Sequence, residues 1–483
     1  MHLLTTDTSV TVWWEKAEKA PEQYEILFNG AQCCTTAATH FTWDGLQPDT
    51  EYTIEVAGVG AAKVRTRQPI RRLDVTQAPY FAKGEGVTLN TAAIQRAIDD
   101  CGAEECVYLP AGVYRTGALR LHSRMALCVA EGAVLQGTET IADYEPRIPS
   151  RFEGIEGLCY SSLLNMGSMD HDAAPNCEDV LIYGGGTIAG GGSVLARRII
   201  EDERVRLKDY LARLGDRVLE CENLDTIPGR ARGRLINMSN CRNIRVTGLT
   251  LADGPCWNVH MVYSEHIVTD HCTFRSEGVW NGDGWNPDSS EDCTLFACQF
   301  YTGDDAVAIK SGKNPEGNLI NRPTRRIRVF DCVSHFGHGI TIGSEMSGGV
   351  EDVRVWDCDL GRAMYGLEIK GTKKRGGYVR DVQVRDCTVA RILMHAVGYN
   401  DDGIGASAPP KFSGCRFENV RILGRSLNHE GAVSDVPAIE MEGFDAPGYE
   451  VEDVTFRQCV MERAAEIRLH RCKQISLDIS VVK

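Results

Sequence analysis

Short runs of alternating apolar and polar residues recur through most of this 483-residue chain. Strand residues alternate between two faces, so such runs predict β-strands with one buried side. From about residue 235 onward the runs resemble one another, and most of them end in a cysteine. They occupy 243–247, 266–272, 293–298, 326–332, 353–358, 382–387 and 454–459.

The spacing of these cysteines indicates a repeat. Successive steps between Cys272, Cys298, Cys332, Cys358 and Cys387 are 26, 34, 26 and 29 residues. A period of roughly 20 to 35 residues without helical pattern between the strands predicts a solenoid of stacked strands. We therefore expect a mainly β protein with a parallel β-helix over residues 75–483. Its coils lie about 4.8 Å apart, and its cysteines form an internal ladder.

Residues 1–68 carry a different pattern, with strands at 9–14, 23–28, 40–43 and 52–56 and turn residues between them. This pattern predicts a small N-terminal β-sandwich. The segment 46–52 resembles the tyrosine corner of fibronectin type III domains, in which a Tyr hydroxyl ties the turn to nearby backbone. We expect this domain to be structural and not sugar-binding.

Two segments have helical spacing. Residues 88–100 predict a helix with Asn90 or Thr91 as its N-cap, which covers the open end of the coil array. Residues 194–222 are charged and predict a helical insertion that either borders a cleft or forms an oligomer contact. Further strands are expected at 105–109, 125–129 and 133–135.

The composition excludes several classes of protein. Lys and Arg total 52 against 67 Asp and Glu, a net charge of -15, which is unlike a nucleic-acid-binding surface. We find no export signal and no apolar run near the ~18 residues of a membrane span, and so expect a cytoplasmic protein without a membrane partner. Nineteen cysteines without paired metal-type spacing predict buried, reduced thiols.

Three later segments align with one another on Ile309, Ile342 and Ile369. In this superposition two columns of polar residues result. One column holds Asp305, His338 and Tyr365, and the other holds Lys310, Gly343 and Lys370. Such columns predict a face of the solenoid that carries chemistry, since equivalent residues of successive coils lie side by side.

Carboxylates crowd around this face, in Asn281–Asp288 and Thr302–Asp305. Cleavage of a glycosidic bond needs one protonated carboxyl to protonate the leaving oxygen and one carboxylate to activate water or attack carbon. Crowding raises the pKa of one carboxyl and so supplies the acid. Turn aspartates or a calcium site are the alternatives, and an isolated Gly-Asp-Asp would favour them.

Four elements in order resemble those of glycoside hydrolase family 28, the polygalacturonases. Asn286-Pro-Asp288, Gly303-Asp-Asp305, Gly337-His-Gly339 and Glu368-Ile-Lys370 are similar to the family's Asn-Thr-Asp, Gly-Asp-Asp, Gly-His-Gly and Arg-Ile-Lys. The resemblance covers about residues 75 to 483 and includes 257–260. It implies a right-handed β-helix and inverting hydrolysis of galacturonosyl linkages, without a cofactor or metal.

The resemblance also implies roles for individual residues. Asp304 matches the general acid, and Asp288 with Asp305 matches the pair that activates water. His338 matches the histidine that holds the protonation state of the acid or contacts sugar. Lys370 matches a contact to the substrate carboxylate. Weaker candidates for substrate binding are Asn258, His260, Lys310, Glu345, Arg375 and, as a departure from the family, Glu368.

Glu368 stands where the family has Arg, which places a negative charge where the family's Arg meets the leaving-side uronate. Two interpretations are open. Either Lys373, Lys374 or Arg375 supplies the missing cation and pairs with Glu368, or the sugar on that side is not a simple galacturonate.

The leading functional hypothesis is an exo-acting hydrolase of galacturonic-acid-containing pectic oligosaccharides. A lyase on the same fold, which usually needs calcium, is the second enzymatic hypothesis. A non-catalytic β-helix that binds carbohydrate is the third, and the ordered set of acids stands against it. A pectic oligosaccharide is the expected partner, and the sequence does not predict the oligomeric state.

Overall fold

The computed structural model describes residues 1–462 and 465–482. The chain divides into two compact units, one of Met1–Leu73 with Cys101–Cys106 and the other of Asp74–Asp100 with Val107–Lys483. The limits 1–68 and 75–483, drawn from the sequence, stay a prediction. Among the described residues no helix is long and apolar enough to cross a membrane.

The first unit holds two antiparallel sheets. The three-stranded sheet comprises His2–Thr5, Val10–Trp13 and His40–Trp43, and the four-stranded sheet comprises Ala31–Thr36, Tyr24–Phe28, Glu51–Val56 and Gly60–Arg65. Val12, Trp14, Ile26 and Ile54 fill the core between them. The predicted tyrosine corner is present, because the amide of Gln47 donates to the Tyr52 hydroxyl at 3.0 Å.

The second unit is a right-handed parallel β-helix, as expected. Each full coil contributes a strand to each of three parallel stacks, and coils are joined by in-register pairing, as between Val307 and Ile340 or Ile340 and Leu367. The first stack carries the site described below. It comprises Leu119–Leu121, Leu164–Gly167, Ile236–Ser239, Val259–Val262, Trp285–Asp288, Val307–Ile309, Gly339–Ile342, Gly366–Gly371, Arg391–Ala396, Ile439–Glu442 and Ile467–His470.

The other two stacks form the remaining faces of the coil. The second comprises Met125–Val129, Cys177–Gly184, Cys241–Thr247, Glu265–Asp270, Glu291–Phe296, Thr324–Phe330, Val350–Trp356, Tyr378–Arg385, Lys411–Glu418, Val451–Met461 and Cys472–Val481. The third comprises Glu85–Leu89, Gly112–Thr116, Ala133–Gly137, Thr187–Ala189, Thr250–Ala252, Thr273–Arg275, Gln299–Tyr301, Val333–Phe336, Asp359–Leu360, Thr388–Val389 and Arg421–Ile422. Strands Arg71–Asp74 and Glu105–Leu109 and the hairpins Ile148–Phe152 with Ile155–Cys159 and Arg425–Leu427 with Val433–Asp435 complete the β-structure of the described residues.

The interior of the coil confirms the predicted cysteine ladder. Cys272, Cys298, Cys332, Cys358 and Cys387 are all buried, and the Cys358 amide lies 3.4 Å from the Cys387 sulfur one coil away. All nineteen cysteines are free. A thiol is small and apolar enough to pack in such a column, and each of these five donates to the backbone carbonyl two residues earlier, as Cys358 does to Trp356 at 3.4 Å.

The predicted helices are present with shorter bounds. Thr91–Asp99 is a helix with Asn90 as N-cap, and it buries Ile94 and Ile98. The insertion folds as helices Gly192–Arg206 and Lys208–Leu214, followed by a 3-10 turn at Gly215–Glu220. Further short helices are Ile141–Tyr144 (3-10), Thr226–Gly229 and Glu316–Ile320.

Candidate active site

The site lies at the N-terminal ends of the strands in the first stack. Ile309 pairs with Ile342 and Ile342 with Ile369, the register on which the segments were superimposed. The column of Asp305, His338 and Tyr365 therefore exists, each residue two positions before the paired Val307, Ile340 and Leu367. In this turn before the strand, the side chains leave the strictly alternating pattern of the strand and face one side.

Two glycines fix the turn that presents His338. Gly337 and Gly339 have φ of +106° and +100°. A Cβ on Gly337 would lie 2.2 Å from the Thr302 hydroxyl oxygen, and one on Gly339 would lie 2.3 Å from the Gly366 carbonyl oxygen. Only glycine fits both the positive φ and the close approach of the neighbouring coil, which explains Gly-His-Gly.

These residues line a cavity of about 420 Å³. Of the residues proposed from the sequence, the cavity collects Asp304, Asp305, His338, Lys310, Glu345, Glu368 and Lys370. A volume of this size fits a sugar unit and part of a second, in the range of small-molecule sites.

Asp304 and Asp305 share His338. The Nδ1 atom of His338 lies 2.9 Å from Asp304 Oδ1 and 3.3 Å from Asp305 Oδ1. Burial alone would raise the pKa of Asp304, but the charge of His338 and its hydrogen bond outweigh burial and hold that pKa well below its usual range. Burial opposes the charge on His338 as well, yet the two carboxylates raise its pKa. In the absence of substrate, His338 is therefore a charged imidazolium that faces the ionised carboxylate of Asp304.

Asp283 is the cavity carboxyl that sequence reasoning missed. It is 2% exposed and lines the cavity, with Oδ2 3.7 Å from Lys310 Nζ. Burial raises its pKa well above the usual range, Lys310 lowers it, and the charges of Asp304 and Asp305 raise it further. The pKa of Asp283 is therefore shifted in the opposite direction from that of Asp304, which favours unequal protonation of the two carboxyl groups.

A signal for Asp283 was present in the sequence. Trp285 pairs with Val307, so Asp283 occupies the same place before its strand as Asp305 does one coil later. The column of Asp305, His338 and Tyr365 therefore extends by one coil toward the N-terminus, to Asp283. Extending the superposition by that coil would have selected Asp283 instead of Asp288.

The structure does not bring Asp288 to the cavity, which corrects its assignment to the water-activating pair. Its side chain is fully buried, and Oδ1 lies 3.1 Å from the guanidinium of Arg151, itself fully buried. The Gly312 amide also donates to Oδ1 at 3.1 Å. Arg151 belongs to the inserted hairpin strand Ile148–Phe152, which was not predicted and which shields Asp288 from the cavity.

Three proposed contact residues are also corrected. Asn258 is buried and bonded to the Ser276 hydroxyl and the Asp283 carbonyl. His260 is fully buried with Nε2 3.4 Å from Asp288, and desolvation lowers its pKa to about 4. Arg375 is buried and donates to the carbonyls of Ser344 and Asn400 and to Asn314. None of the three lines the cavity, so they support the wall from behind.

The two cavity lysines are each held by two carboxylates. Lys310 Nζ lies 3.2 Å from Glu345 Oε2 and 3.7 Å from Asp283 Oδ2. Lys370 Nζ lies 3.0 Å from Glu368 Oε2 and 4.0 Å from Asp305 Oδ2. Desolvation would lower the pKa of each lysine, but these carboxylates raise it, so both lysines stay charged.

Glu368 pairs with neither Lys373 nor Lys374 nor Arg375. Its Oε1 lies 2.7 Å from Nε2 of His395, and its Oε2 faces Lys370. Lys374 instead binds Glu220 and the Asp401 carbonyl. The first interpretation of the substitution, in which one of those three cations pairs with Glu368, is therefore wrong.

Aromatic and insertion residues complete the wall. The ring of Trp257 lies beneath Lys310 Nζ at 4.6 Å. Glu222, which follows the helical insertion, lines the cavity, and its amide donates to Asn400. On the other side the hairpin residue His429 brings its Nε2 to 3.4 Å from Nε2 of His338. The sequence had no signal for His429, because its approach depends on how the hairpin folds back.

Asp304, Asp305 and His338 offer donor atoms within 4.8 Å of one another, the spacing of a cation site. The residues fit a metal poorly, because the nitrogen that would coordinate it carries the proton shared with the carboxylates. Calcium in particular takes six to eight oxygen ligands.

Comparison with known proteins adds two family matches. The model of glycosyl hydrolases family 28 matches residues 173–408, and that of the fibronectin type III domain matches residues 3–71.

Individual relatives agree with these matches. A probable polygalacturonase of Vitis vinifera is 33% identical over 315 residues, 62% of this chain and 57% of the relative. An exo-poly-alpha-D-galacturonosidase of Dickeya chrysanthemi is 27% identical over 435 residues, 83% of this chain and 70% of the relative. The family 28 exopolygalacturonase structure from Yersinia enterocolitica superimposes with a TM-score of 0.79 at 22% identity, covering 100% of this chain and 98% of that one. This last likeness concerns the fold.

Proposed function

We propose that this chain is a glycoside hydrolase of family 28, whose model matches residues 173–408, and that it hydrolyses galacturonic-acid-containing pectic oligosaccharides with inversion, acting from a chain end. The observation that carries the proposal is the cluster of Asp283, Asp304 and Asp305 with His338 inside one sugar-sized cavity. Acid-base cleavage of a glycoside needs such carboxyls in unequal protonation states.

Asp304 is the proposed general acid. Its side chain is 23% exposed, whereas Asp305 is 5% exposed, so Asp304 is the more accessible to the glycosidic oxygen. His338 Nδ1, which carries a proton, lies 2.9 Å from Asp304 Oδ1. This proton passes from His338 to the Asp304 carboxylate, and the Asp304 carboxyl group so formed donates it to the leaving oxygen, which leaves His338 neutral.

Asp305 is proposed to deprotonate the attacking water, and Asp283 is proposed to hold that water in place. They lie on neighbouring coils, where the Gly284 amide bonds to the Asp305 carbonyl at 2.9 Å. The raised pKa of Asp283 favours the opposite assignment, in which Asp283 donates the proton. An experiment that separates acid from base is therefore the decisive one.

The experiment compares Asp304→Asn and Asp283→Asn on a pectic oligosaccharide and on an aryl galacturonide with an acidic phenol as leaving group. Loss of a general acid or base costs roughly 10²- to 10⁴-fold in rate. The acid variant regains most of its rate on the aryl substrate, because that leaving group needs no proton. We expect this recovery for Asp304→Asn only. If only Asp283→Asn recovers its rate on the aryl substrate, Asp283 is the acid and Asp304 is not. If the wild-type protein hydrolyses no galacturonide, the proposed function is refuted.

Product analysis tests inversion and end-wise action. Nuclear magnetic resonance of the first product should show the inverted anomer, and oligomers should shorten one unit at a time. Glu222, which follows the helical insertion, and His429, from the hairpin, both line the cavity and support a pocket walled by inserted segments. The Dickeya relative is named as an exo-acting enzyme. An unsaturated product absorbing in the ultraviolet would indicate the lyase instead.

We also propose that the protein works in a reducing compartment such as the cytoplasm. The support is the set of nineteen free cysteines, because free thiols persist where glutathione and thioredoxin keep them reduced.

A further inference from the structure

We propose that Glu368 selects a neutral sugar beside the scissile bond, so that the enzyme prefers oligosaccharides in which galacturonic acid is followed by a neutral sugar. This inference rests on the proposed hydrolase function. It names the substrate class for which the cavity is built.

The cavity has little positive charge for two uronates. Seven acidic side chains line it: Glu153, Glu222, Asp283, Asp304, Asp305, Glu345 and Glu368. Burial raises the pKa of Asp283 and of Glu222, so these two contribute least to the negative charge. Against them the cavity-lining residues supply two lysines and the charged His338. A digalacturonate brings two more negative charges into this space, whereas a uronate joined to a neutral sugar brings one.

Lys370 is poorly placed to accept a uronate next to Glu368. Its Nζ lies between Glu368 Oε2 at 3.0 Å and Asp305 Oδ2 at 4.0 Å. A substrate carboxylate that approaches Lys370 from this side meets both protein carboxylates as well. Like charges in a desolvated site disfavour binding.

Glu368 has an open acceptor instead. Glu368 is 3% exposed. Its Oε2 accepts no hydrogen bond from any described residue. Lys370 Nζ, 3.0 Å away, forms an ion pair with Oε2 but lacks the geometry of a hydrogen bond. His395 holds the other oxygen at 2.7 Å and so fixes the carboxylate plane. A buried carboxylate oxygen without a donor favours a ligand that supplies one. A sugar hydroxyl supplies a donor, and a uronate carboxylate does not.

The position of Glu368 matches the sugar next to the reacting bond. Glu368 pairs with Thr341, and Thr341 pairs with Ala308, so Glu368 lies two coils from the coil of Asp305. The side chains nevertheless approach each other, because the Lys370 ammonium lies 3.0 Å from Glu368 Oε2 and 4.0 Å from Asp305 Oδ2, which places the two carboxylates about one sugar unit apart. Tyr365 and Tyr399 line the same part of the cavity and offer ring faces to an uncharged pyranose.

The test measures kcat/KM for two substrates of equal length, an oligogalacturonate and a rhamnogalacturonan oligomer in which galacturonic acid and neutral rhamnose alternate. We expect wild-type enzyme to prefer the mixed oligomer by roughly 10- to 100-fold, the effect typical of leaving one buried acceptor without a hydrogen bond. Glu368→Gln keeps the size of the side chain but removes the charge. It should lower that preference at least fivefold, and Glu368→Arg should reverse it.

The control is Glu440→Gln. Glu440 follows Glu368 two coils further along the same stack, pairs with Arg391 at 3.2 Å and lies outside the cavity. It should leave the preference unchanged. A damaged fold lowers both rates together, so the ratio reports selectivity alone.

Three outcomes overturn the inference. They are a wild-type preference for the oligogalacturonate, equal rates on both substrates, and a preference that Glu368→Gln leaves unchanged. Hydrolysis of neither substrate would instead remove the proposed function on which the inference depends.

Discussion

The pair Arg151 and Asp288 offers a sharp test, because the sequence pattern gives Asp288 a catalytic role and the structure gives it a structural one. Both side chains are fully buried and their charged atoms lie 3.1 Å apart. Asp288→Asn keeps the shape but leaves the guanidinium without its counter-charge. Breaking a buried ion pair from one side costs about 3–5 kcal/mol.

This loss in the free energy of unfolding corresponds to a measurable decrease in Tm. Unfolding entropy is about 2.1 cal/mol/K per residue near 60 °C, which gives about 0.85 kcal/mol/K for the roughly 400 residues of the second unit. We therefore expect Asp288→Asn to lower Tm by about 4–6 °C in scanning calorimetry. Its kcat should fall less than tenfold, whereas Asp283→Asn should lose at least a hundredfold in kcat with a smaller shift in Tm.

The shift should depend on pH. Burial opposes ionisation of Asp288, but Arg151 and then His260 outweigh burial and hold its pKa below the ordinary 3.8. A depressed folded-state pKa adds stability above the unfolded-state pKa, and that stability disappears as the pH falls through the folded-state pKa. The Tm difference between wild type and Asp288→Asn should thus be full at neutral pH and shrink below about pH 3.8.

A double variant completes the test. Arg151→Met with Asp288→Asn removes both charges, so its cost should be less than the sum of the single costs. Additive costs, or a Tm unchanged in Asp288→Asn with kcat reduced a hundredfold, would refute the structural role and return Asp288 to catalysis.

Three further predictions follow from the same geometry. His338→Gln should move the alkaline limb of the kcat/KM profile to lower pH, because the shared proton must then reside on Asp304, and an unmoved limb would count against the shared proton. Gly339→Ala should lower the free energy of unfolding by about 1–3 kcal/mol, because Gly339 has a positive φ and lies close to the next coil. Gly278→Ala should leave stability unchanged, because a Cβ there meets nothing within 4 Å. Equal stabilities of the two variants in calorimetry would contradict this reasoning. Thiol titration of native protein should modify at most three cysteines, because sixteen of the nineteen are buried, and rapid reaction of more would show that the coil interior opens.

The alternation of apolar and polar residues determined the β-helix, because a coil can bury only one side of each strand and repeats the same requirement at every turn. The cysteine spacing and the isoleucine superposition therefore located the stacks and the columns correctly. The same local logic placed Asp304, Asp305, His338 and Lys370 on one face. Their positions follow from the register of neighbouring coils, which the repeat encodes.

Long-range contacts decided the rest. The choice between Asp283 and Asp288 depends on Arg151, which lies on a hairpin more than a hundred residues earlier and reaches the site only after folding. Glu368 pairs with His395 on the next coil and with Lys370, not with Lys373, Lys374 or Arg375. Charge pairing and burial depend on which side chains tertiary packing brings within a few ångströms, and strand pattern alone does not contain that information.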